Sequence, residues 1–374
     1  MSNRGAHGDH SIHFLLLDGM TREAPTSKRQ RRWWEYVTEG MQFIINRTIM
    51  MEEGAGRDVM QTRTPTRKTC KTLLEEFQRA PQPLRVEKLV FAGVGGRDVY
   101  NISAPFEDGG EWVIAGRVEA RDSEQSEVYF FVEREGTWVP REGAPVFALQ
   151  DPFVSRVHGH LVFGGVETFP HPVLRGMLYW RTVFYRGTTL HDLTPFFTGP
   201  DGMKDIRLVE LQDGSVGVFT RPQGKKGGRG KIGFTRVGSL EELTVEAIQD
   251  APLIDGQFAD GEWGGANEVH LLANGLVGVL GHIACFDEER NRHYYPMVFA
   301  FNPDTGEASD MELIATRAHF LDGPAKRSDL ADVVFSGGLI RKEDGTADFY
   351  AGTSDAEAQK LTIVDPFTKY ERQG

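Results

Sequence analysis

Five hairpins built on one plan are spaced along this chain, and repetition of a single antiparallel unit leaves few ways to fold. In each, an acidic residue opens a strand, a Gly-containing turn follows, and a strand of small and apolar residues returns. The clearest copy is Phe147–Glu167. Alternation with period two predicts a strand from about Phe153, a turn at His158-Gly159 and a second strand to Glu167. Asp151 stands at the mouth of the first strand, where Pro152, lacking a backbone donor, favours a strand start. The other turns are Asp108-Gly109-Gly110, Asp213-Gly214, Asn274-Gly275 and Asp344-Gly345. The return strands are Trp112–Val118, His160–Glu167, Ser215–Arg221, Leu276–Ile283 and Thr346–Thr353. The leading acidic residues are Asp98, Asp151, Asp205, Glu268 and Asp332.

Successive turns lie 49 to 70 residues apart, room for four strands each. A second repeat supports this. Phe184-Tyr-Arg186-Gly-Thr-Thr-Leu190-His-Asp-Leu193-Thr194 matches Phe234-Thr-Arg236-Val-Gly-Ser-Leu240-Glu-Glu-Leu243-Thr244 at an ungapped offset of 50. From Val86 onward short strands alternate with turn signals, the mark of an all-β fold. The natural closure is a five-bladed β-propeller over residues 69–374, because radial repetition protects the sheet edges. Lys71–Gln78 reads as a short helix leading in, stopped by Pro81 and Pro83. Residues 1–68 read as a loosely ordered N-terminal extension with one short helix around Trp34–Thr48.

At 374 residues and 40% hydrophobic, the chain can bury a large core, and its 43 glycines suit tight turns better than long helices. Two cysteines, Cys70 and Cys285, are too few for a disulfide framework and too isolated for a zinc site, which points to a reducing, cytoplasmic compartment. A formal charge of -12 argues against non-specific nucleic-acid binding. Residues 1–69 hold 11 Lys/Arg against 8 Asp/Glu, a net of +3 that leaves -15 for the remainder. Basic residues recurring at strand ends within that acidic part therefore stand out. No run approaches the roughly 18 apolar residues of a membrane span. The apolar patch Ile12–Leu17 follows Asp9 rather than a basic region, unlike a signal peptide.

In a ring of such units the innermost strands line one central channel, so equivalent residues converge from distant parts of the sequence. This brings together Asp98, Asp151, Asp205, Glu268 and Asp332, with Arg117, Glu167, Arg221 and His282 from the return strands. Singly, an Asp before a strand is commonly a turn former bonding its own backbone, and Arg117 and Arg221 pair naturally with such carboxylates. Five acidic groups on one axis repel one another unless several bind hydroxyls or cations. Sugars supply hydroxyls. No Asp-x-Asp-x-Asp-Gly calcium loop is present, and no metal is expected.

Glycoside hydrolysis needs two carboxylates. Phosphorolysis needs only the acid, since phosphate is already anionic, but the site must then hold a dianion with clustered Lys, Arg and His. Lys204 and Arg207 flank Asp205, and Arg221 and His282 end two return strands, the pattern for an anion held beside a sugar. Gly224–Lys231 lacks the spacing of a phosphate loop and reads as a mobile basic loop at the pocket rim, while His158 reads as exposed and inert.

These residues resemble a known group. Gln150-Asp-Pro-Phe-Val-Ser-Arg-Val-His-Gly-His-Leu-Val-Phe163 resembles the Glu-Asp-Pro-Arg segment and following strand of the β-mannoside phosphorylases, glycoside hydrolase family 130, whose general acid falls on Asp151. Lys204-Asp205 through Thr220-Arg221-Pro222 resembles that family's Lys…His-Arg-Pro stretch, and Gly281-His282 its Tyr-His-Gly. Asp332-Val-Val-Phe-Ser-Gly-Gly338 through Tyr350-Ala-Gly-Thr-Ser-Asp355 resembles its Asn-Val-Val-Phe…Tyr-Tyr-Gly-Ala-Asp ending. Over roughly residues 70–374 the chain is still more similar to the mannosyltransferase/phosphorylases of Leishmania and bacteria, glycosyltransferase family 108. Gln150 replaces the usual Glu, and Phe219-Thr220-Arg221-Pro222 lacks the His before Arg.

The resemblance implies a reversible, inverting β-1,2-mannoside phosphorylase with no cofactor and inorganic phosphate as co-substrate. Its partners are β-1,2-mannooligosaccharides, mannose 1-phosphate and, in some members, GDP-mannose. Asp151 is then the proton donor, relayed through a sugar hydroxyl. Lys204, Arg207, Arg221, His282 and Tyr295 hold phosphate, while Asp98, Asn101, Arg117, Gln150, Asp205, Glu268 and Asp332 meet the sugar. Three rivals stand beside this reading: a GDP-mannose-dependent transferase, a hydrolase working through Asp98, Asp151 and Glu268, and a non-catalytic sugar-binding propeller.

Overall fold

The computed structural model describes residues 67–80 and 82–372. The expected extension over 1–68, with its helix near Trp34–Thr48, lies outside the described residues apart from Arg67 and Lys68. The chain divides into two compact units, of which Thr62–Phe169 with Tyr179–Gly374 form the larger; Pro170–Leu178 falls in the other.

The described chain is mostly β. After helix α1 (Cys70–Phe77), capped by the Thr69 side chain, comes strand β1 (Arg85–Lys88). Five antiparallel groups follow in chain order. The first contains β2 (Asp98–Tyr100), β3 (Phe106–Asp108), β4 (Glu111–Glu119), β5 (Ser126–Arg134) and β6 (Thr137–Pro140). The second contains β7 (Gln150–Val157), β8 (His160–Pro170), β9 (Leu178–Gly187) and β10 (Thr194–Thr198). The third contains β11 (Arg207–Glu210), β12 (Val216–Thr220) and β13 (Gly233–Val237). The fourth contains β14 (Trp263–Leu271), β15 (Val277–Phe286), β16 (Arg292–Phe301) and the short β17 (Glu312–Leu313). The fifth contains β18 (Asp332–Arg341), β19 (Thr346–Thr353) and β20 (Glu357–Val364), and β1 pairs with β20, Arg85 opposite Thr362. A brief parallel contact, His293 opposite Asp332, joins the fourth group to the fifth.

The hairpin turns form where glycine allows them. Gly109, Gly159, Gly214, Gly275 and Gly345 all have φ between 61° and 84°, the left-handed region that glycine enters without steric cost. The repeat offset by 50 also has a physical meaning: in both copies a strand runs into a one-turn 3₁₀ segment, Leu190–Asp192 and Leu240–Glu242, whose leading leucine is buried. The four-strand expectation fails in the third group, which has three strands. The fifth group takes its outer strand from the start of the domain, a non-local pairing that period-two patterning does not reveal.

Five apolar cores lie between these groups. Val113, Phe130, Leu161 and Phe163 join the first to the second. Phe153, Phe184, Leu208 and Val218 join the second to the third, and Phe219, Phe234, Val279 and Phe301 join the third to the fourth. Leu280, Val298, Phe349 and Leu361 join the fourth to the fifth, and Val99, Ile114, Phe131 and Tyr350 join the fifth back to the first. A strand packed on both faces loses its apolar–polar alternation. β15 accordingly reads Val-Gly-Val-Leu-Gly-His-Ile-Ala with all eight residues buried.

At Gly337, in β18, the backbone passes so close to the first group that an added Cβ would lie 2.0 Å from the Ile102 carbonyl oxygen. The obstacle is backbone, which cannot rotate away. Gly337→Ala is expected to lose about 1–3 kcal/mol of stability or more, read as a lowered urea midpoint; an unchanged midpoint would show that this approach is not a packing constraint.

Candidate active site

A regular strand sends alternate side chains to opposite faces, and a break in it re-aims one of them. The leading strand of every group is broken or entered irregularly at a corresponding place. Asn101 (φ 45°) follows β2, Asp151 (48°) sits in the bulge of β7, and Asp205 (59°) precedes β11. Asn and Asp tolerate this left-handed conformation better than other residues with a side chain. In β14 the register shifts between Ala266 and Glu268, around Asn267, and in β18 between Ser336 and Gly338.

Asp151 is buried, at 5% exposure. Its Oδ1 accepts from Asn101 Nδ2 (2.9 Å) and Arg117 Nη1 (3.1 Å), and Lys204 Nζ lies 3.4 Å from Oδ2. Burial pushes the carboxyl toward its neutral form, but Lys204, Arg117 and the Asn101 bond overcome this and hold it well below the usual carboxylate range. Arg117 is itself held by Glu119, which accepts from its Nε (3.2 Å) and Nη2 (2.7 Å), and it stacks on the Tyr100 ring at 4.9 Å. Glu119 also accepts from Tyr100 Oη (3.0 Å), Ser126 Oγ and Lys326 Nζ. Asp355 (φ 50°) feels the same charges with the opposite result: burial and the neighbouring Asp151 outweigh Arg117 and Lys204 and push its carboxyl up.

The second half of the cluster is cationic. Arg221 Nη1 lies 3.4 Å from Asp205 Oδ2, and its Nε donates to the Gly264 carbonyl (2.6 Å). Burial opposes ionisation of Asp205, but Arg221 and Lys204 keep its carboxyl low. Arg207 donates to the Asn267 and Ile206 carbonyls and faces the Phe153 ring at 4.0 Å; burial lowers it to about 10, still protonated at neutral pH. His282 Nδ1 meets Asn267 Oδ1 at 2.8 Å, and its ring stacks on Tyr294 at 5.3 Å. Burial lowers His282 to about 3, helped by Arg221 and Lys204 against Asp205, so the imidazole is neutral. A Cβ at Gly265 would lie 2.7 Å from Arg221 Cδ, so glycine there makes room for the guanidinium stem.

Four buried polar atoms in this cluster, Asn101 Oδ1, Asp205 Oδ2, Arg221 Nη1 and Asn267 Nδ2, find no hydrogen-bond partner among the described residues. Such atoms are rare in folded proteins and each costs about 1–3 kcal/mol. Arg221 Nη1 and Asp205 Oδ2 still meet as an ion pair at 3.4 Å, while Asn267 Nδ2 is left as a donor and Asn101 Oδ1 as an acceptor, and a cluster with groups of both kinds suits a ligand that is both anionic and hydroxylated. Among the described residues, no group of three or more His, Cys, Asp or Glu is placed to hold a metal ion.

The structure thus brings together Asn101, Arg117, Asp151, Lys204, Asp205, Arg207, Arg221 and His282. It does not bring the other sequence candidates into this network. Asp98 is bound through both oxygens to the exposed Arg121. Gln150 donates to the Glu124 carbonyl (3.2 Å). Glu268 accepts from the Leu339 amide (2.7 Å) and bonds His270, bracing β14 against β18, although its charge still reaches Arg207. Asp332 accepts from His293 (2.6 Å) and from Tyr295 Oη (3.0 Å). Tyr295 faces the core beside Ile283, and it is Tyr294 that stands against His282. Gly224–Lys231 is also not a plain loop. It contains the helical turn α2 (Gly224–Gly227), and its Gly230 carbonyl accepts from the Gly264 amide (3.1 Å), backing Arg221. His158, although exposed, places Nε2 2.6 Å from the Gly214 carbonyl.

Sequence reading missed Glu119, Asn267, Tyr294 and Lys326, and left Asp355 without a role. Asn267 and Tyr294 each lie one residue from a candidate, and in a strand one residue changes the face. Glu119 and Lys326 carry no motif; only the fold joins them.

Comparison with solved structures places this fold among the mannoside phosphorylases. A β-1,2-mannobiose phosphorylase from Listeria innocua in complex with β-1,2-mannobiose superposes with a TM-score of 0.54 at 13% identity, over 78% of this chain and 95% of that one, so the fold alone is shared. Closer in sequence are two Leishmania mexicana proteins. MPT-4, a mannose phosphorylase in complex with phosphate ion, is 36% identical (TM-score 0.74, 80% of this chain, 94% of that one). MPT-1, a GDP-Man-dependent mannosyltransferase, is 33% identical (TM-score 0.73, 80% and 95%). The chain belongs to the family of these enzymes, and residues 75–369 match the family model described as "Protein of unknown function (DUF1861)". A comparison with curated proteins finds no match.

Because the folded pKa of His282 lies below the ordinary imidazole value, the unfolded chain takes up the proton first. Stability therefore falls as pH drops from about 6.5 toward 3. Imidazole NMR in phosphate-free buffer is expected to show His282 neutral down to about pH 4.5, and His282→Gln should flatten this acid limb by up to a few kcal/mol. A His282 midpoint above about 6 would contradict the burial argument.

Proposed function

We propose that this chain is a five-bladed β-propeller enzyme, a reversible, inverting β-1,2-mannoside phosphorylase. The five cores that join the strand groups in cyclic order, the last to the first, support the ring. The single observation that carries the activity is the Asp151 carboxylate set beside Lys204 and the buried Arg207, Arg221 and neutral His282, with the other buried carboxylate, Asp205, already paired with Arg221.

Mannose from the non-reducing end of a β-1,2-mannooligosaccharide lies against Asn101, Arg117 and Asp355. Phosphate sits among Lys204, Arg207, Arg221 and His282. A phosphate oxygen attacks the anomeric carbon from the face opposite the leaving oxygen. The glycosidic bond breaks, and the leaving oxygen takes a proton supplied by Asp151 through a sugar hydroxyl. α-Mannose 1-phosphate and a shortened oligosaccharide result. The low proton affinity of Asp151 without ligand fits the reverse direction, where it is the base for the acceptor hydroxyl. Adding a phosphate dianion offsets Lys204 and Arg117, raises the proton affinity of Asp151 and equips it as the acid in the forward direction.

A GDP-mannose-dependent transfer is the second reading, favoured by the 33% identity to MPT-1. The hydrolase reading loses support, since the carboxylates it requires, Asp98 and Glu268, are engaged elsewhere.

Incubation with β-1,2-mannobiose is expected to yield mannose 1-phosphate only when phosphate is present, and Asp151→Asn to lower turnover by about 10²–10⁴-fold or more while the β-rich circular dichroism spectrum is kept and the melting temperature falls with the loss of the Arg117 and Lys204 pairing. Turnover without phosphate would support hydrolysis. Product from GDP-mannose but not from mannose 1-phosphate would support the transferase. Full activity of Asp151→Asn would sink the assignment of the acid.

A further inference from the structure

Two cysteines separated by most of the chain meet in the fold. Cys70 opens α1 and is 3% exposed; its amide donates to Glu262 Oε1 (2.8 Å). Glu262 directly precedes Trp263, whose partner across β14 and β15 is Ala284, the neighbour of Cys285. Helix α1 lies against β15, and Cys285 packs on the same apolar cluster as Cys70, Leu73 and Phe77. The two thiols lie near enough to shift each other's ionisation, and neither is in a disulfide. The function proposed above uses neither.

We propose that Cys70 and Cys285 form a two-electron oxidation site that closes to a disulfide, tying α1 covalently to the strand that carries His282. The thiols are unequal, which sets the order of events. Cys285 is half-buried, and the nearby Cys70 thiol, opposed by burial and assisted by His293 across the β15–β16 ladder, pulls its thiol down from the ordinary value. The same proximity, with burial, pushes the Cys70 thiol up. Cys285 is therefore the thiol that reacts with a peroxide, and Cys70 the one that resolves it. The Cys285 thiolate attacks a peroxide oxygen. The O–O bond breaks, a sulfenic acid forms, and hydroxide leaves and is protonated to water. Cys70 sulfur then attacks the sulfenic sulfur, and the sulfenic oxygen leaves as a second water with the Cys70 proton. Two thiols and one hydrogen peroxide give one disulfide and two waters.

The test treats the folded full chain with stoichiometric hydrogen peroxide, alkylates the remaining thiols, and reads intact mass and non-reduced peptides. The wild type is expected to lose two hydrogens, resist alkylation, yield a linked Cys70–Cys285 peptide and revert with dithiothreitol. Its melting temperature should rise, because the cross-link restricts the unfolded chain. Cys70→Ser should stop at a Cys285 sulfenic acid, and Cys285→Ser should keep a reduced Cys70. Two thiols that stay open to alkylation after treatment, or that oxidise separately without a linked peptide, would overturn the proposal.

Discussion

The structure around the candidate site depends on keeping Asp151 charged where water hardly reaches it. A lone buried carboxylate would take up a proton, because the low-dielectric interior disfavours its charge. Arg117 and Lys204 prevent this, and Arg117 is in turn held by Glu119. Glu119 is satisfied by Tyr100, Ser126 and Lys326. Removing one partner of such a buried network strands the others, a cost of about 3–5 kcal/mol for a broken buried pair. The first strand group and the segment before β18 are thus bound through charge as well as through apolar packing.

That charge is housed by irregular backbone. Asn101, Asp151 and Asp205 share a left-handed conformation that costs about 1–3 kcal/mol each for residues with a side chain. The five apolar cores around them supply the rigid frame that maintains it. The same contrast runs through the titratable groups. Asp151 and Asp205 are driven down and Asp355 up, while His282 stays neutral among cations. A site whose members are pushed apart in this way offers both proton acceptors and fixed positive charge within one cluster.

Much of the fold was legible because turn chemistry is local. Each Gly-containing turn occurs where the dipeptide predicts it, and the return strands match to within a few residues. Asp151, Lys204, Arg207, Arg221 and His282 were found as candidates because they recur at strand ends in an otherwise acidic domain. The errors have one cause. Reading Asp98 and Glu268 as equivalents of Asp151 assumed regular strands, whereas left-handed and bulged backbone puts Asn101 and Asn267 at those two places, and Asp332 is engaged by His293 and Tyr295. Tyr295 was chosen over Tyr294 for the same reason, since nothing in Tyr-Tyr tells which ring faces inward.

By itself the sequence determined the repeat, its turns, the β character and the chemical types available to the site, all consequences of short-range preferences. Only the tertiary structure decided which side chains meet. Pairing β1 with β20, Glu119 with Lys326 and Cys70 with Cys285 joins residues that share no local pattern. Such contacts are fixed by the order in which whole strand groups pack, and a one-residue bulge is enough to exchange the face a strand presents.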